Sequence, residues 1–532
     1  MQAGILAAAG IICRIIGILY RSPLAHVIGD EGNGYYSSAY EIYTIILLVS
    51  SYSIPSAVSK VIAQRLALRE YRNAQKIFHC ALTYVVVVGG AASLFTFFGA
   101  GFLVGGNSVP VLRTFAPTIF FSGLLGVLRG YCQAHGTMMP TSFSQILEQI
   151  LNAVVSILAA FFLMKAAAGA GDTAMAVYGA TGSAIGTGSG VLIALLFMCF
   201  IMSLNRRYIS GQIRKDRNRK VLTDREVYRI IITMVTPIIL STFIYNCNTS
   251  LNLTIYTRIM EGVKGMSEAD AYTLYGLFSG KAKQIANIPI ALASAMSTAI
   301  IPGVAKSYAQ KRIGETNQKI GAAIKTTMLL SIPSAMGLVV LAKPVVLLLY
   351  PQRASVDTVS TLLAGIAASV VFYGLSTVSN GVLQGIGRVN IPVINAAVAL
   401  VVQTAVLVPC LLFTDLGLYA MVLATVVYSL VMCVLNGIAV RRQLGYRQEI
   451  IRTWCIPFWA SVIMGGAAFG TYHGLYALLP VNVICLALAL VVAVALYFVL
   501  IIKTGAVSRR ELLAFPKGAV LVRMAEKCRL IP

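Results

Sequence analysis

Long apolar stretches recur along nearly the whole chain, and short polar gaps separate them. Most stretches reach roughly 20 residues, the length of helix that crosses a hydrocarbon core of about 30 Å. The pattern therefore predicts an all-α, polytopic membrane protein with fourteen transmembrane helices. Their predicted bounds are 3–20, 35–58, 77–104, 110–130, 141–164, 175–203, 228–257, 272–303, 320–350, 356–385, 391–413, 416–440, 454–478 and 481–502.

Positive charge is concentrated in every second gap and in the C-terminal tail. These segments hold 32 of the 42 Lys and Arg residues. Because cytoplasmic loops carry the excess of Lys and Arg, the pattern predicts that both termini lie in the cytoplasm and that the number of spans is even. Arg14 interrupts the first apolar run and no clear small-residue cleavage site follows, so we expect a retained helix rather than a signal peptide.

The composition argues against several classes of protein. The net charge is +24, but the cations flank apolar helices and form no basic domain with interleaved aromatic residues. Membrane topology and anionic lipids explain this charge better than nucleic-acid binding does. The ten cysteines and four histidines are dispersed, without a CxxC motif, a P-loop or a GxSxG elbow. We therefore expect no disulfide, no metal site, no use of ATP and no enzymatic activity.

Two parts of the chain share short motifs in the same order. FSGLLGVLRGYCQAHG at 121–136 matches FYGLSTVSNGVLQGIG at 372–387, and IPSAVSKVIAQR at 54–65 matches IPGVAKSYAQKR at 301–312. The offset of roughly 240 to 250 residues spans six helices, which predicts two parallel six-helix lobes related by a pseudo-two-fold axis along the membrane normal. Secondary transporters with such repeats bind substrate between the lobes and rock between two states.

The repeat predicts the organisation of the chain. Two further helices follow the second lobe and need a separate purpose. The predicted parts are an N-terminal lobe at 1–205, a basic cytoplasmic linker at 206–227, a C-terminal lobe at 228–441, helices 13 and 14 at 442–502 and a cytoplasmic tail at 503–532.

Cations inside apolar spans are the candidate binding groups, because a cation at membrane depth costs at least a few kcal/mol unless it meets water or a partner. Arg14 and Arg21 lie about two turns apart on one face of the first helix. Lys281 and Lys283 precede IANIPIAL in the eighth helix, and Arg258 closes the seventh. For Arg14 and Lys283 we favour a water-filled cavity, whereas snorkelling to the outer interface is an alternative for Arg21 and Arg258.

A cavity lined by these cations would select a phosphorylated amphiphile, because a guanidinium group can engage two phosphate oxygens. Glu41 and Glu148 are candidate cavity acids, although Glu148 could instead bond a neighbouring helix. An exporter of cationic drugs would more naturally display several carboxylates. Asp30 and Glu31, in IGDEGNGYY of the first outer gap, are candidate gate residues, and a solvated glycine-rich turn is the alternative.

Several segments resemble the polysaccharide transport branch of the multidrug/oligosaccharidyl-lipid/polysaccharide exporter superfamily, especially lipid II flippases of the MurJ type and stage V sporulation protein B. The likeness covers nearly the whole chain, and its first and eighth helices are the most specific parts. The segments are GIICRIIGILYRSPLAHVIGDEGNGYYSSAYEIY, SIPSAVSKVIA, PTSFSQILEQ, YGLFSGKAKQIANIPIAL and FPKGAVLVRMAEKCRLI.

The resemblance implies two lobes arranged as a V and a hydrophobic groove, made by helices 13 and 14, for a polyprenyl tail. It implies that lipid II moves from the inner to the outer leaflet while arginines hold its pyrophosphate. Arg14 matches the mid-helix arginine of the family, Arg21 approximately matches the next, and Lys283 falls near a basic position of helix 8. Asn152 stands where the family often has arginine, and the frequent helix 2 arginine is not reproduced.

No cofactor is expected except a sodium ion suggested by loose family analogy; its candidate ligands are Asn246, Asn248, Thr249, Asn395 and Thr425. Bonds between neighbouring helices are the alternative role for these residues. The leading interpretation is a flippase for lipid II in the bacterial cytoplasmic membrane. The alternatives are an exporter of another polyprenyl-linked glycan or spore-cortex precursor, a drug or ion antiporter, and a non-transporting scaffold. Expected partners are a lipid-linked anionic glycan, anionic membrane lipids and cell-wall synthesis proteins.

Overall fold

The computed structural model describes residues 2–52, 54–214, 216, 222–350, 353–507, 522–523 and 526. Every regular element in this described part is helical, so the all-α prediction is confirmed. By packing, the chain divides into two compact units, Met1–Leu277 and Phe278–Pro532.

Long helices make up the first unit. Short connections and one amphipathic helix, α7, link them. They are α1 Gln2–Leu47, α2 Ile54–Ala67, α3 Tyr71–Leu103, α4 Val109–Ala134, α5 Met139–Ala166, α6 Asp172–Leu204, α7 Arg206–Arg214, α8 Asp224–Gly262 and α9 Glu268–Gly276.

The second unit is also built from helices, and its last two pack against each other. Small side chains such as Ala460 and Ala489 lie in the core that α16 and α17 share with α11. Small residues at such positions let membrane helices approach closely. The helices are α10 Lys283–Ala309, α11 Ile313–Val340, α12 Ala342–Leu349, α13 Val356–Gly385, α14 Asn390–Phe413, α15 Leu418–Leu444, α16 Ile456–Leu478 and α17 Asn482–Lys503.

Three π-helical turns interrupt the helices of the described part. They are Leu48–Tyr52, Leu277–Ala282 and Ile451–Cys455. Such turns are rare and often lie at functional sites. The second contains Lys281, one of the cations singled out by the sequence, and the third leads into α16.

Eleven helices of the described part are long and apolar enough to cross a membrane. The predicted spans 141–164, 175–203 and 356–385 lie within α5, α6 and α13. The predicted span 320–350 is instead divided, because α11 ends at Val340 and α12 begins at Ala342. The count of fourteen spans stays a prediction.

The predicted outer gap between the first two spans is a sharp turn within α1. Two helical segments of α1 meet at Gly29, where φ is 71° and ψ is −179°. The guanidinium carbon of Arg21 lies 5.7 Å from the ring of Tyr40, whereas 19 residues of straight helix would separate the two by about 28 Å, so the chain turns back between them. A residue with a Cβ would be strained at this φ, whereas glycine adopts it readily. Asp30 and Glu31 directly follow this turn and are half-buried, and their role as gate residues stays a prediction.

The packing boundary lies after α9 and not in the linker predicted at 206–227. The reason is a close crossing of α1 and α9: a Cβ added to Gly34 would lie 2.1 Å from the carbonyl oxygen of Tyr272, and one added to Gly276 would lie 2.6 Å from the Cα of Gly34. This contact holds α9 in the first unit. The lobes inferred from the sequence repeat stay a prediction, since a packing boundary does not test a duplication.

Candidate functional site

An ion pair joins α4 and α5 in the first unit. Nη2 of Arg129 lies 2.7 Å from Oε2 of Glu148, and the Nε–H of Arg129 donates to Oγ of Ser144 at 2.8 Å. The side chains of Arg129 and Glu148 are only 14% and 29% exposed. Glu148 thus bonds a neighbouring helix, which was the alternative role that the sequence suggested for it. Its side chain remains partly accessible.

The sequence interpretation counted Arg129, at the end of the predicted span 110–130, among the cytoplasmic basic residues and not among the site residues. The structure places Arg129 inside α4. A signal was available: Arg129 and Glu148 lie near the facing ends of consecutive helices that a short connection joins, so opposite charges fall at similar depth. A buried cation with a hydrogen-bonded carboxylate avoids most of the cost of an uncompensated charge.

The middle of the predicted first span lies beside this ion pair. The Cys13 thiol is within electrostatic reach of both Glu148 and Arg129. A Cβ added to Gly17 would lie 3.2 Å from Nε2 of Gln149, so this turn of α1 contacts α5 next to Glu148. Arg14, in the same turn, is exposed. The structure therefore gathers part of the predicted site around the α4–α5 ion pair.

Arg21 contacts an aromatic cluster. Its guanidinium carbon lies 5.7 Å from the centroid of the Tyr40 ring, and Tyr40 lies against Tyr43 and Phe115. A cation over an aromatic face gains about 0.5–2 kcal/mol, with the larger values at desolvated sites. Arg21 thus contacts a tyrosine in the segment of α1 that follows the turn at Gly29.

The two glutamates of α1 accept hydrogen bonds from tyrosines. Oε2 of Glu41 accepts a bond from the hydroxyl of Tyr275 in α9. Oε1 of Glu31 accepts a bond of 3.0 Å from the hydroxyl of Tyr35, which in turn accepts one from Nδ2 of Asn107. The bond from Tyr275 joins α1 to α9, and the bond from Asn107 joins α1 to the connection between α3 and α4.

Helix α9 also bonds this connection directly. The backbone N–H of Gly105 donates to the hydroxyl of Tyr272 at 2.8 Å, and the backbone N–H of Asn107 donates to Oε1 of Glu268 at 2.8 Å. These hydrogen bonds and the close Gly34–Gly276 contact together hold α9 against the rest of the first unit. The sequence did not predict these contacts, because the residues that make them are far apart in the chain.

In the second unit, Lys281 is fully buried. Its Nζ donates to Oγ of Ser355 at 3.1 Å and lies 5.3 Å from the centroid of the Tyr350 ring. Lys283, at the start of α10, is half-buried. The structure therefore gives the two lysines different surroundings. Arg258, near the end of α8 in the first unit, is exposed.

The predicted sodium ligands fall in separate surroundings. Oδ1 of Asn248 accepts a bond from Nδ2 of Asn252 at 3.0 Å, and Thr249 is half-buried. The hydroxyl of Thr425 donates to the carbonyl of Met421 within its own helix at 2.8 Å. The side chain of Asn246 lies outside the described residues.

Asn395 belongs to a buried amide network that joins α13, α14 and α15. Its Nδ2 donates to Oδ1 of Asn436 at 2.8 Å. Nδ2 of Asn436 donates to Oδ1 of Asn380 at 2.7 Å and to Oγ of Ser376 at 3.2 Å. The sequence analysis named only Asn395 of this network. The other two asparagines could have been singled out because each is an amide within an apolar helix.

Within the described ranges, no group of three His, Cys, Asp or Glu residues could hold a metal ion. A role in ion coupling stays a prediction.

Comparison with known proteins identifies the family. A family model described as lipid II flippase MurJ matches residues 64–475. The chain is similar to stage V sporulation protein B of Bacillus subtilis (strain 168), with 23% identity and 98% of each chain covered. It is also similar to the lipid II flippase MurJ of the same organism, with 20% identity and 85% of each chain covered.

A solved structure has the same fold. It is a lipid II flippase MurJ in an inward closed conformation, with a TM-score of 0.66 and 15% identity, and the match covers 93% of this chain and 97% of that chain. The resemblance predicted from the sequence is therefore confirmed, and so is the multi-pass membrane architecture. The protein belongs to the lipid II flippase MurJ family of membrane transporters.

Proposed function

We propose that this protein is a flippase that moves lipid II, the undecaprenyl-pyrophosphate-linked peptidoglycan precursor, from the inner to the outer leaflet by alternating access. The observation that carries the proposal is the match of the lipid II flippase family model over residues 64–475. Both termini lie in the cytoplasm in this proposal, because the basic gaps follow the positive-inside rule.

The charges beside α5 fit the pyrophosphate of such a substrate. Arg14 is exposed, and the neighbouring Arg129 is already compensated by Glu148. Arg14 is thus accessible to a ligand, and a carboxylate lies at Arg129. An anion that binds Arg14 gains charge-assisted hydrogen bonds, and it can exchange places with Glu148 at Arg129.

The substrate tail would lie on α16 and α17. Large apolar side chains of these helices remain exposed in the described structure, among them Trp459, Val491 and Val494 at 64%, 65% and 69%. A polyprenyl chain could cover them while the headgroup crosses. Sodium coupling stays a prediction, and the rate of transport in sodium and potassium buffers would test it.

The test is leaflet exchange of labelled lipid II in proteoliposomes that contain the purified protein. We expect exchange well above that of protein-free vesicles. Arg14→Gln should slow it by about tenfold or more, because a hydrogen bond to a charged group contributes about 1.5–3 kcal/mol. Lys60→Gln is the control for charge loss, since Lys60 is exposed near the end of α2. Absence of exchange by the wild-type protein would contradict the proposal.

A second candidate substrate is another polyprenyl-pyrophosphate-linked glycan or a spore-cortex precursor. The observation that favours it is the match to stage V sporulation protein B, which has 23% identity over 98% of each chain, whereas the match to MurJ of the same organism covers 85%. Expression in a strain depleted of its lipid II flippase separates the two candidates. Growth supports lipid II, and failure despite normal membrane abundance supports the second candidate.

A further inference from the structure

A cavity of about 620 Å³ opens in the second unit beside the end of α15. Its walls come from α11, α13, α15 and the segment that leads into α16, and they are mainly apolar. This volume is within the range of about 300–1,000 Å³ that small-molecule sites occupy. No residue of α17 lines it, so the cavity is distinct from the α16–α17 surface that we assign to the substrate tail.

One wall of the cavity is an apolar track on α15. Leu430, Val434 and Ile438 are exposed and recur every four residues, so they share a face of the helix. Arg441 continues this face in the last turn of the helix. At 1.5 Å per residue the track extends about 16 Å from Leu430 to Arg441. An extended acyl chain fits such a track, with its polar end at the arginine.

The mouth of the cavity is cationic and aromatic. Arg441 and Arg447 both line it and both are exposed. Trp454 also lines it, and its indole N–H donates to Oε1 of Gln448 at 3.3 Å. Tryptophan is enriched where the hydrocarbon core meets the headgroups. Glu449, the acid of this connection, lies 3.6 Å from the guanidinium group of Arg452 and is not part of the lining.

We propose that this cavity binds one anionic phospholipid, with its phosphate at Arg441 and Arg447 and one acyl chain along the α15 track. Charge complementarity selects this occupant, because basic pockets between membrane helices attract anionic headgroups. A bound lipid would bridge the end of α15 and the π-helical turn Ile451–Cys455 that leads into α16. It would thereby hold the connection between the second unit's central helices and its last two.

The test compares retained lipid on the purified full-length protein by native mass spectrometry after incubation with phosphatidylglycerol or phosphatidylcholine. We expect one phosphatidylglycerol per chain and little phosphatidylcholine. The double variant Arg441→Gln/Arg447→Gln should retain about tenfold less phosphatidylglycerol, since each arginine near the headgroup strengthens binding. Arg442→Gln is the matched control, because Arg442 is exposed in the same turn and does not line the cavity.

A second variant tests the apolar part. Gly437 lines the cavity and has open space around it, so Gly437→Leu places a side chain where the acyl chain would lie. Gly466→Leu, at an exposed glycine of α16 that also has open space, is the control. We expect Gly437→Leu, and not the control, to lose the lipid while circular dichroism shows unchanged helix content.

Three results would overturn the proposal. They are equal retention of both phospholipids by the wild-type protein, an equal loss in Arg442→Gln and the double variant, and displacement of phosphatidylglycerol by undecaprenyl phosphate in one-to-one ratio. The last result would mean that the cavity takes the carrier lipid. Because lipid retention is measured without transport, the outcome is independent of whether the protein moves lipid II.

Discussion

The contact between α4 and α5 in the first unit contains an ion pair, whereas the contact among α13, α14 and α15 in the second unit contains a network of neutral amides. Arg129 and Glu148 are charged, bonded to each other and still partly exposed. Asn436 is fully buried and bonds Asn380, Asn395 and Ser376. A partly exposed ion pair can exchange one partner for an incoming anion, whereas a buried, satisfied amide has nothing to gain from a ligand. The difference assigns binding to the charged region and helix packing to the amide region.

Breaking the ion pair should have the largest effect on stability. Glu148→Ala leaves Arg129 without its carboxylate, and we expect the free energy of unfolding to fall by about 2–3 kcal/mol, below the 3–5 kcal/mol of a fully buried pair because of the partial exposure. Denaturant unfolding in detergent measures this. Glu449→Ala, which removes the acid of an exposed pair with Arg452, should cost less than about 0.5 kcal/mol.

The double variant Glu148→Ala/Arg129→Ala sharpens this prediction. It removes both charges, so it should lose less stability than Glu148→Ala alone. A double variant that loses the sum of two single effects would mean that the pair acts through packing rather than charge.

Truncating the amide network should have the next largest effect. Asn436→Ala leaves Asn380 and Asn395 without a shared partner, and we expect a loss of about 1–3 kcal/mol in unfolding free energy with normal transport by the folded fraction. Asn205→Ala, at an exposed amide, is the control. Loss of sodium dependence with unchanged stability would instead assign the network to ion coupling.

Exchanging the buried lysine should have a smaller effect. Lys281→Met keeps the aliphatic volume and removes a charge held by Ser355 and Tyr350, so we expect a change within about 1 kcal/mol in stability, since apolar isosteres of buried ions are often neutral or stabilising. Transport should remain near normal in Lys281→Met and fall in Lys283→Met, whose side chain is half-buried. The opposite order in transport assays would reverse the roles of the two lysines.

The smallest effect is expected at an ion pair outside the predicted spans, between α2 and α3. A hydrogen bond from Asn73 and the ion pair with Arg65 lower the pKa of Glu70. A lowered pKa means that the stabilisation is present above the ordinary Glu pKa of about 4.3 and is lost as pH falls below it. We expect at most about 1 kcal/mol at pH 7. The stability difference between wild type and Glu70→Gln should therefore shrink on acidification; a constant difference would contradict this linkage.

The sequence predicted the helical architecture well because hydrophobic length and basic gaps are local properties of the chain. It predicted a turn near Asp30 and Glu31, and α1 does turn at Gly29. It did not predict the bond from Tyr275 to Glu41 or the crossing of Gly34 with Tyr272, because both partners come from a distant segment of the chain. It also predicted Arg14 as a site residue but not its neighbour Arg129, since depth within a helix depends on where the helix ends.

The second unit shows the same limit. Lys281 and Lys283 are two residues apart and look equivalent in the sequence. In the folded chain, Ser355 and Tyr350 contact Lys281. The sequence alone does not show which of the two lysines they contact. The π-helical turn changes the local register, and this change cannot be inferred from apolar periodicity.

The equilibrium affinity for labelled lipid II tests the central claim most directly when two variants are compared. We predict that Arg14→Gln binds lipid II about tenfold more weakly with unchanged stability, because it loses a charge-assisted contact. Asn436→Ala should bind with normal affinity and reduced stability. Wild-type affinity in Arg14→Gln, or a loss of affinity confined to Asn436→Ala, would contradict the assignment of binding to the charged region of the first unit.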